Sequence, residues 1–102
     1  MTYNIKSAAN LTPNSQRFLG KSVLITGGAG GMGLAATRMF AAEGAEVSVL
    51  DVSHDAGQAM IQDMSEKGYD VFFEQADLSK SKEINAGIDA VLSKRGRIDT
   101  LF

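Results

Sequence analysis

The residues able to do chemistry cluster in one short stretch, Thr26-Gly27-Gly28-Ala29-Gly30-Gly31-Met32-Gly33, and in two later carboxylates, Asp51 and Asp77. The glycine stretch directly follows the apolar run Val23-Leu24-Ile25 and opens a helical pattern that starts near Met32. A strand, a glycine turn and a helix N-terminus in that order make a phosphate site. The first-turn N–H groups of the helix have no intrahelical partner, and the helix dipole favours negative charge beside them. Glycines let the backbone turn sharply and approach a pyrophosphate without a Cβ in the way. Two overlapping templates fit: Gly28, Gly30 and Gly33 match G-x-G-x-x-G, and Thr26-Gly27, Gly31 and Gly33 match T-G-x-x-x-G-x-G. Asp51 closes the next apolar run, Val47-Ser48-Val49-Leu50. A carboxylate there can accept hydrogen bonds from both adenosine ribose hydroxyls. It repels a 2′-phosphate, and no Lys or Arg stands in the loop or just after Asp51 to receive one. The expected cofactor is therefore NAD, favoured over NADP by at least about tenfold, or ~1.4 kcal/mol. Asp77-Leu78 follows a third apolar run; its carboxylate can take an adenine amino group and the next N–H a ring nitrogen. By spacing alone, Asp77 or Ser79 serves equally well as a cap for the third helix.

These groups need elements to hold them. The spacing predicts a first strand over about 22–26, then a helix with Met32, Ala35, Ala36, Met39 and Phe40 on one stripe, ended by Gly44. A second strand follows at 46–51. The second helix puts Ala56, Ala59, Met60 and Met64 on one face and stops at Gly68. A third strand spans about 70–74, and a third helix, opened by Ser79 or Ser81, aligns Ile84, Ile88, Val91 and Leu92 before Gly96. A fourth strand begins at Ile98. Alternating strands and helices of these lengths imply an α/β fold, the first half of a Rossmann-type doubly wound parallel sheet with strand order 3-2-1-4 and three helices. Residues 1–18, rich in Asn, Ser and Thr, are expected to form a polar leader or arm, with the dinucleotide-binding unit over 19–102. The outer side of the fourth strand is an uncovered parallel edge, a place where a second copy or a partner chain would pair.

Composition narrows the remaining classes. At 102 residues the chain is at most one domain, with 44% apolar and 22% charged residues. A net charge of −2 leaves no basic footprint for nucleic acid. There is no cysteine, so thiol catalysis, disulfides and zinc–thiolate sites are excluded. No signal-like or membrane-spanning apolar run occurs, which suggests a cytoplasmic protein without a membrane partner. His54, the only histidine, reads as a surface residue at a helix start. No metal site and no catalytic residue emerge from the pattern.

From about Leu19 to Phe102 the chain resembles the N-terminal half of a short-chain dehydrogenase/reductase. The resemblance rests on Gly20-Lys21, the glycine motif, Glu43-Gly44-Ala45-Glu46-Val47, Asp51, Asp77-Leu78 and Arg97-Ile98-Asp99-Thr100-Leu101. Met32 stands where the family usually has Ile, and a flexible apolar residue serves there. The resemblance implies NAD contacts at Gly27, Gly28, Gly30, Gly31, Met32, Gly33, Asp51, Val52, Asp77 and Leu78, and a parent activity that interconverts an alcohol and a ketone by hydride transfer. The family's Asn-Asn-Ala-Gly segment, catalytic Ser and Tyr-x-x-x-Lys pair fall beyond Phe102, so the chain alone is expected to be inactive. Two other expectations stand beside this one: a self-standing NAD or adenine-nucleotide binding module, and a non-catalytic remnant that associates through its open sheet edge.

Overall fold

Ser22–Thr26 form strand β1, and its side chains leave on alternate faces. Val23 and Ile25 enter one apolar cluster while Leu24 enters another on the opposite face. A strand covered on both sides in this way is characteristic of a parallel sheet between helical layers. The computed structural model describes residues 17–102. After β1 come helix α1 (Gly31–Ala42), β2 (Glu46–Asp51), α2 (His54–Glu66), β3 (Val71–Gln75), α3 (Ser81–Arg95) and β4 (Thr100–Leu101). The four strands are parallel in the order β3-β2-β1-β4, as the alternating grammar requires.

The larger cluster joins Val23, Ile25, Val47 and Val49 of the sheet to Ala36, Phe40, Met60 and Met64 of α1 and α2. The smaller one joins Leu24 and Leu50 to Val91 and Ala76 beneath α3. Each fully buried Val or Ile side chain contributes about 1.5–3 kcal/mol relative to exposure. α3 is also tied down by charge. The Arg95 guanidinium, 4% exposed, bonds Ser48 Oγ at 3.1 Å, the Val47 carbonyl at 2.7 Å and the Asp70 carboxylate at 2.9 Å. Gly96 then closes α3 with a φ of 83° and its N–H on the Leu92 carbonyl.

Several sequence expectations shift. The buried face of α1 is Ala36, Thr37, Phe40 and Ala41, so the stripe is rotated: Met32 and Met39 are 85% and 39% exposed. The reason is that β1 and β2 pack against only one flank of α1. The other flank faces a groove of about 350 Å³ shared with Thr100, Leu101 and Phe102. In α2, Gly57 takes the buried place expected of Ala59, because the Phe73 ring lies directly over it. Neither Ser79 nor Ser81 caps α3. Lys80 occupies the N-cap without a side-chain bond, and the Glu83 carboxylate accepts the Asp77 N–H at 2.9 Å instead. The core also reaches back one residue before Leu19: Phe18 is buried, with its ring edge-on to Phe40 at 5.0 Å. The polar leader expected over 1–18 otherwise lies outside the described residues.

Candidate functional site

Parallel pairing brings the C-terminal ends of the strands to one edge, where α/β sheets place their ligands. Thr26 stands beside Leu50, and Asp51 beside Gln75. The chain continues that pairing past the strand ends: Gly27 N–H donates to the Leu50 carbonyl at 2.7 Å and Ala76 N–H to the Asp51 carbonyl at 2.9 Å. The glycine loop, Asp51-Val52 and Ala76-Asp77-Leu78 thus share one rim.

The loop itself depends on missing side chains. A Cβ on Gly33 would lie 1.9 Å from the Gly27 carbonyl oxygen, so the first turn of α1 packs on the loop with no room for any other residue. Gly31 holds a φ of 57°, a conformation that costs other residues about 1 kcal/mol or more. A Cβ on Gly27, Gly30 or Gly31 would meet nothing within 4 Å. This backbone therefore faces open space directly in front of the α1 N-terminus, a bare cradle that fits a pyrophosphate.

Asp51 is already part of that loop. Its Oδ2 accepts from Ala29 N–H at 3.1 Å and its Oδ1 from Val52 N–H at 2.7 Å. A carboxylate accepts about four hydrogen bonds. Two acceptor positions therefore remain for the two hydroxyls of a ribose. Val52 is 57% exposed on the rim, with its carbonyl bonded by Gln75 Nε2. Met32 is exposed on the first turn of α1.

Asp77 holds its own turn. Its Oδ1 accepts from Ser79 N–H at 3.0 Å and from Ser79 Oγ at 2.7 Å. These bonds, the side-chain one foremost, hold its carboxyl below the usual carboxylate range, helped by Lys80. The turn reading and the adenine reading are compatible, since Oδ2 faces Lys80 only at 4.0 Å and Leu78 is 36% exposed beside it.

Sequence inspection missed three residues here. Ser53 caps α2, accepting from Ala56 N–H at 3.2 Å, which a Ser just before a helical run could have signalled. Thr37, inside α1, bonds the loop. Arg38 lines a groove of about 270 Å³ that runs from Ala29 between α1 and α2, and is paired with Asp63 at 3.7 Å. His54 is exposed at the start of α2, as expected. Among the described residues, no group of acidic or histidine side chains could hold a metal ion, and no helix is long and apolar enough to cross a membrane.

Comparison with known proteins agrees with this geometry. Residues 21–102 match the family model described as short chain dehydrogenase. Xanthoxin dehydrogenase of Arabidopsis thaliana is 33% identical over 100% of this chain and 36% of its own length. Levodione reductase, a solved structure, superposes with a TM-score of 0.76 at 38% identity, covering 84% of this chain and 34% of that one. A short chain dehydrogenase/reductase from Burkholderia phymatum in complex with NAD superposes with a TM-score of 0.80 at 29% identity, over 83% of this chain and 30% of that one. The chain spans between 26% and 36% of the length of the curated relatives it matches. With the glycine cradle, the acidic end of β2 and the 3-2-1-4 sheet in place, the chain belongs to the short-chain dehydrogenase family and carries its NAD(P)-binding region.

Proposed function

We propose that this chain holds the ADP half of NAD for an oxidoreductase that interconverts an alcohol and a ketone. The observation that carries the reading is the union of Asp51 with the glycine loop, Oδ2 to Ala29 N–H at 3.1 Å, in front of a cradle with no side chain. Gly27, Gly28, Gly30, Gly31, Met32 and Gly33 would hold the pyrophosphate, and Asp51 with Val52 the ribose. Asp77 and Leu78 would flank the adenine. Bound there, the dinucleotide would supply a hydride acceptor for an alcohol carbon. This chain's own residues bind and orient it. Asp51 sets the preference for NAD, because an anionic 2′-phosphate would meet its carboxylate in place of a hydroxyl donor. Among the described residues Tyr69 is followed four positions later by Phe73, so it forms no Tyr-x-x-x-Lys proton relay.

The test is thermal unfolding with and without NAD. At a ligand concentration of 100 Kd the chain gains about 2.7 kcal/mol, a clear rise in Tm. An unchanged Tm at millimolar NAD would remove the reading.

A second reading has its own observation. Leu101 and Phe102 are 67% and 54% exposed next to Met32, and β4 pairs on one side only, with β1. This apolar edge suits association with a second copy or a partner chain.

A further inference from the structure

The Gly28–Ala29 peptide is gripped from both sides. Its carbonyl oxygen accepts from Thr37 Oγ1 at 3.0 Å, and its N–H donates to Asp51 Oδ2 at 3.1 Å. The described peptide bonds are all trans. In a trans peptide, C=O and N–H point in opposite directions across one plane. Whatever holds the carbonyl toward α1 therefore holds the N–H toward Asp51.

Thr37 is fully buried. A threonine within a helix can satisfy its proton on the carbonyl four residues back, and here the Gly33 oxygen stands at 2.9 Å. The helix has no need of the second acceptor, the loop carbonyl nine residues away. One hydroxyl proton is shared between the two carbonyls. The surroundings are close. A Cβ on Gly28 would meet Thr37 Oγ1 and Val49 Cγ1 at 2.8 Å and Ile25 Cγ2 at 3.0 Å. The loop is seated on this hydroxyl, and two strands back it.

We propose that Thr37 is a positioning residue for the dinucleotide site: its buried hydroxyl sets the orientation of the Gly28–Ala29 peptide and, through Ala29 N–H, the aim of the Asp51 carboxylate. The proposal rests on the dinucleotide reading given above. Thr37 acts through the loop, from behind it. Without the hydroxyl, the Gly28 carbonyl loses this inward partner, and a buried carbonyl without a partner favours turning toward water. The same turn carries Ala29 N–H away from Asp51. Asp51 then keeps only Val52 N–H among the two backbone donors that fix it.

The test compares wild type, Thr37→Ser and Thr37→Val by amide hydrogen exchange without ligand and by calorimetric titration with NAD. In Thr37→Val, the Ala29 amide should exchange about tenfold faster or more while core amides of β1 and β2 hold their protection. The NAD Kd should rise about tenfold in Thr37→Val and stay within about twofold of wild type in Thr37→Ser. In an Asp51→Ala background the valine substitution should add less than about twofold, because the peptide no longer has a carboxylate to aim. Should Thr37→Val fail to fold, the same readouts on Thr37→Ala decide. If wild type binds NAD but the valine variant keeps both its Ala29 protection and its Kd, or loses affinity equally with and without Asp51, Thr37 is only structural and the proposal falls alone. If wild type binds no NAD, the dinucleotide reading falls and takes this proposal with it.

Discussion

Gly33 and Asp51 are the residues on which the proposed dinucleotide site depends, and their positions were legible in spacing. Gly33 is set by what it lacks. A methyl group at that position would overlap the Gly27 carbonyl oxygen at 1.9 Å, and backbone cannot move aside as a flexible side chain can. Gly33→Ala should cost about 3 kcal/mol or more, a drop in Tm of about 12 °C or more for a domain of this size, and should abolish the NAD-dependent rise in Tm. Differential scanning calorimetry with and without NAD checks both. Thr37 was not legible. A hydroxyl within a helix has no periodic signature, and its loop acceptor is fixed only once α1 has folded against β1. Asp77 gives a prediction in pH. Its carboxyl is held below its ordinary value chiefly by the Ser79 hydroxyl, then by the Ser79 N–H. A folded-state pKa below the unfolded one means that the charged form stabilises the fold. That contribution is full above an ordinary Asp pKa of about 3.9, and it is lost as pH falls through the lower folded value. Asp77→Ala should therefore melt below wild type at neutral pH, with the gap closing in acid. Equal gaps at pH 7 and under strong acid would contradict the assignment.

At the scale of elements, the order and ends of strands and helices were readable and the helix faces only in part. Gly44, Gly68 and Gly96 each fall at a helix end as their positions suggested. The α1 stripe was misread because Met32, Ala35 and Met39 are as apolar as Ala36 and Phe40, and apolar residues on two flanks of a helix do not reveal which flank meets the sheet. The α2 face was misread because Gly57 owes its burial to Phe73 on another element. The anchoring of α3 was also hidden: Lys94-Arg95 looks like a solvated pair, yet Arg95 reaches under β2 and β3 to Ser48, Val47 and Asp70. Arg95→Ala would leave a buried serine hydroxyl and the Val47 carbonyl without this donor, at a cost of about 1–3 kcal/mol. Chemical denaturation should show a lower midpoint with an unchanged slope. Because Arg95 lies at the strand ends away from the glycine loop, the NAD Kd of the folded variant should remain that of wild type; a raised Kd would show that α3 does more than brace the sheet.

Over the whole molecule, the sheet order follows from alternation and right-handed crossovers, and the site follows from the order. The parallel strands β1, β2 and β3 bring Thr26, Asp51 and Gln75 to a single rim, so residues remote in sequence meet there without any further device. The open edge of β4 was legible from the strand order; what the sequence could not show is that the exposed flank of α1 adjoins it. Met32, Met39, Leu101 and Phe102 surround the groove beside β4, on the flank of β1 away from β2. If that edge carries association, wild type should sediment as more than a monomer at tens of micromolar, and Leu101→Lys should return it to monomer while leaving NAD binding in place. A monomeric wild type would contradict the edge reading and leave the dinucleotide site untouched. The central claim concerns Asp51 and the loop it holds. It is tested most directly by calorimetric titration of wild type and Asp51→Ala with NAD and with NADP. Wild type should bind NAD at least about tenfold tighter than NADP, and Asp51→Ala should lose most of that ratio by weakening NAD and relieving NADP. A wild type that binds neither, or a ratio that Asp51→Ala leaves unchanged, would contradict the account.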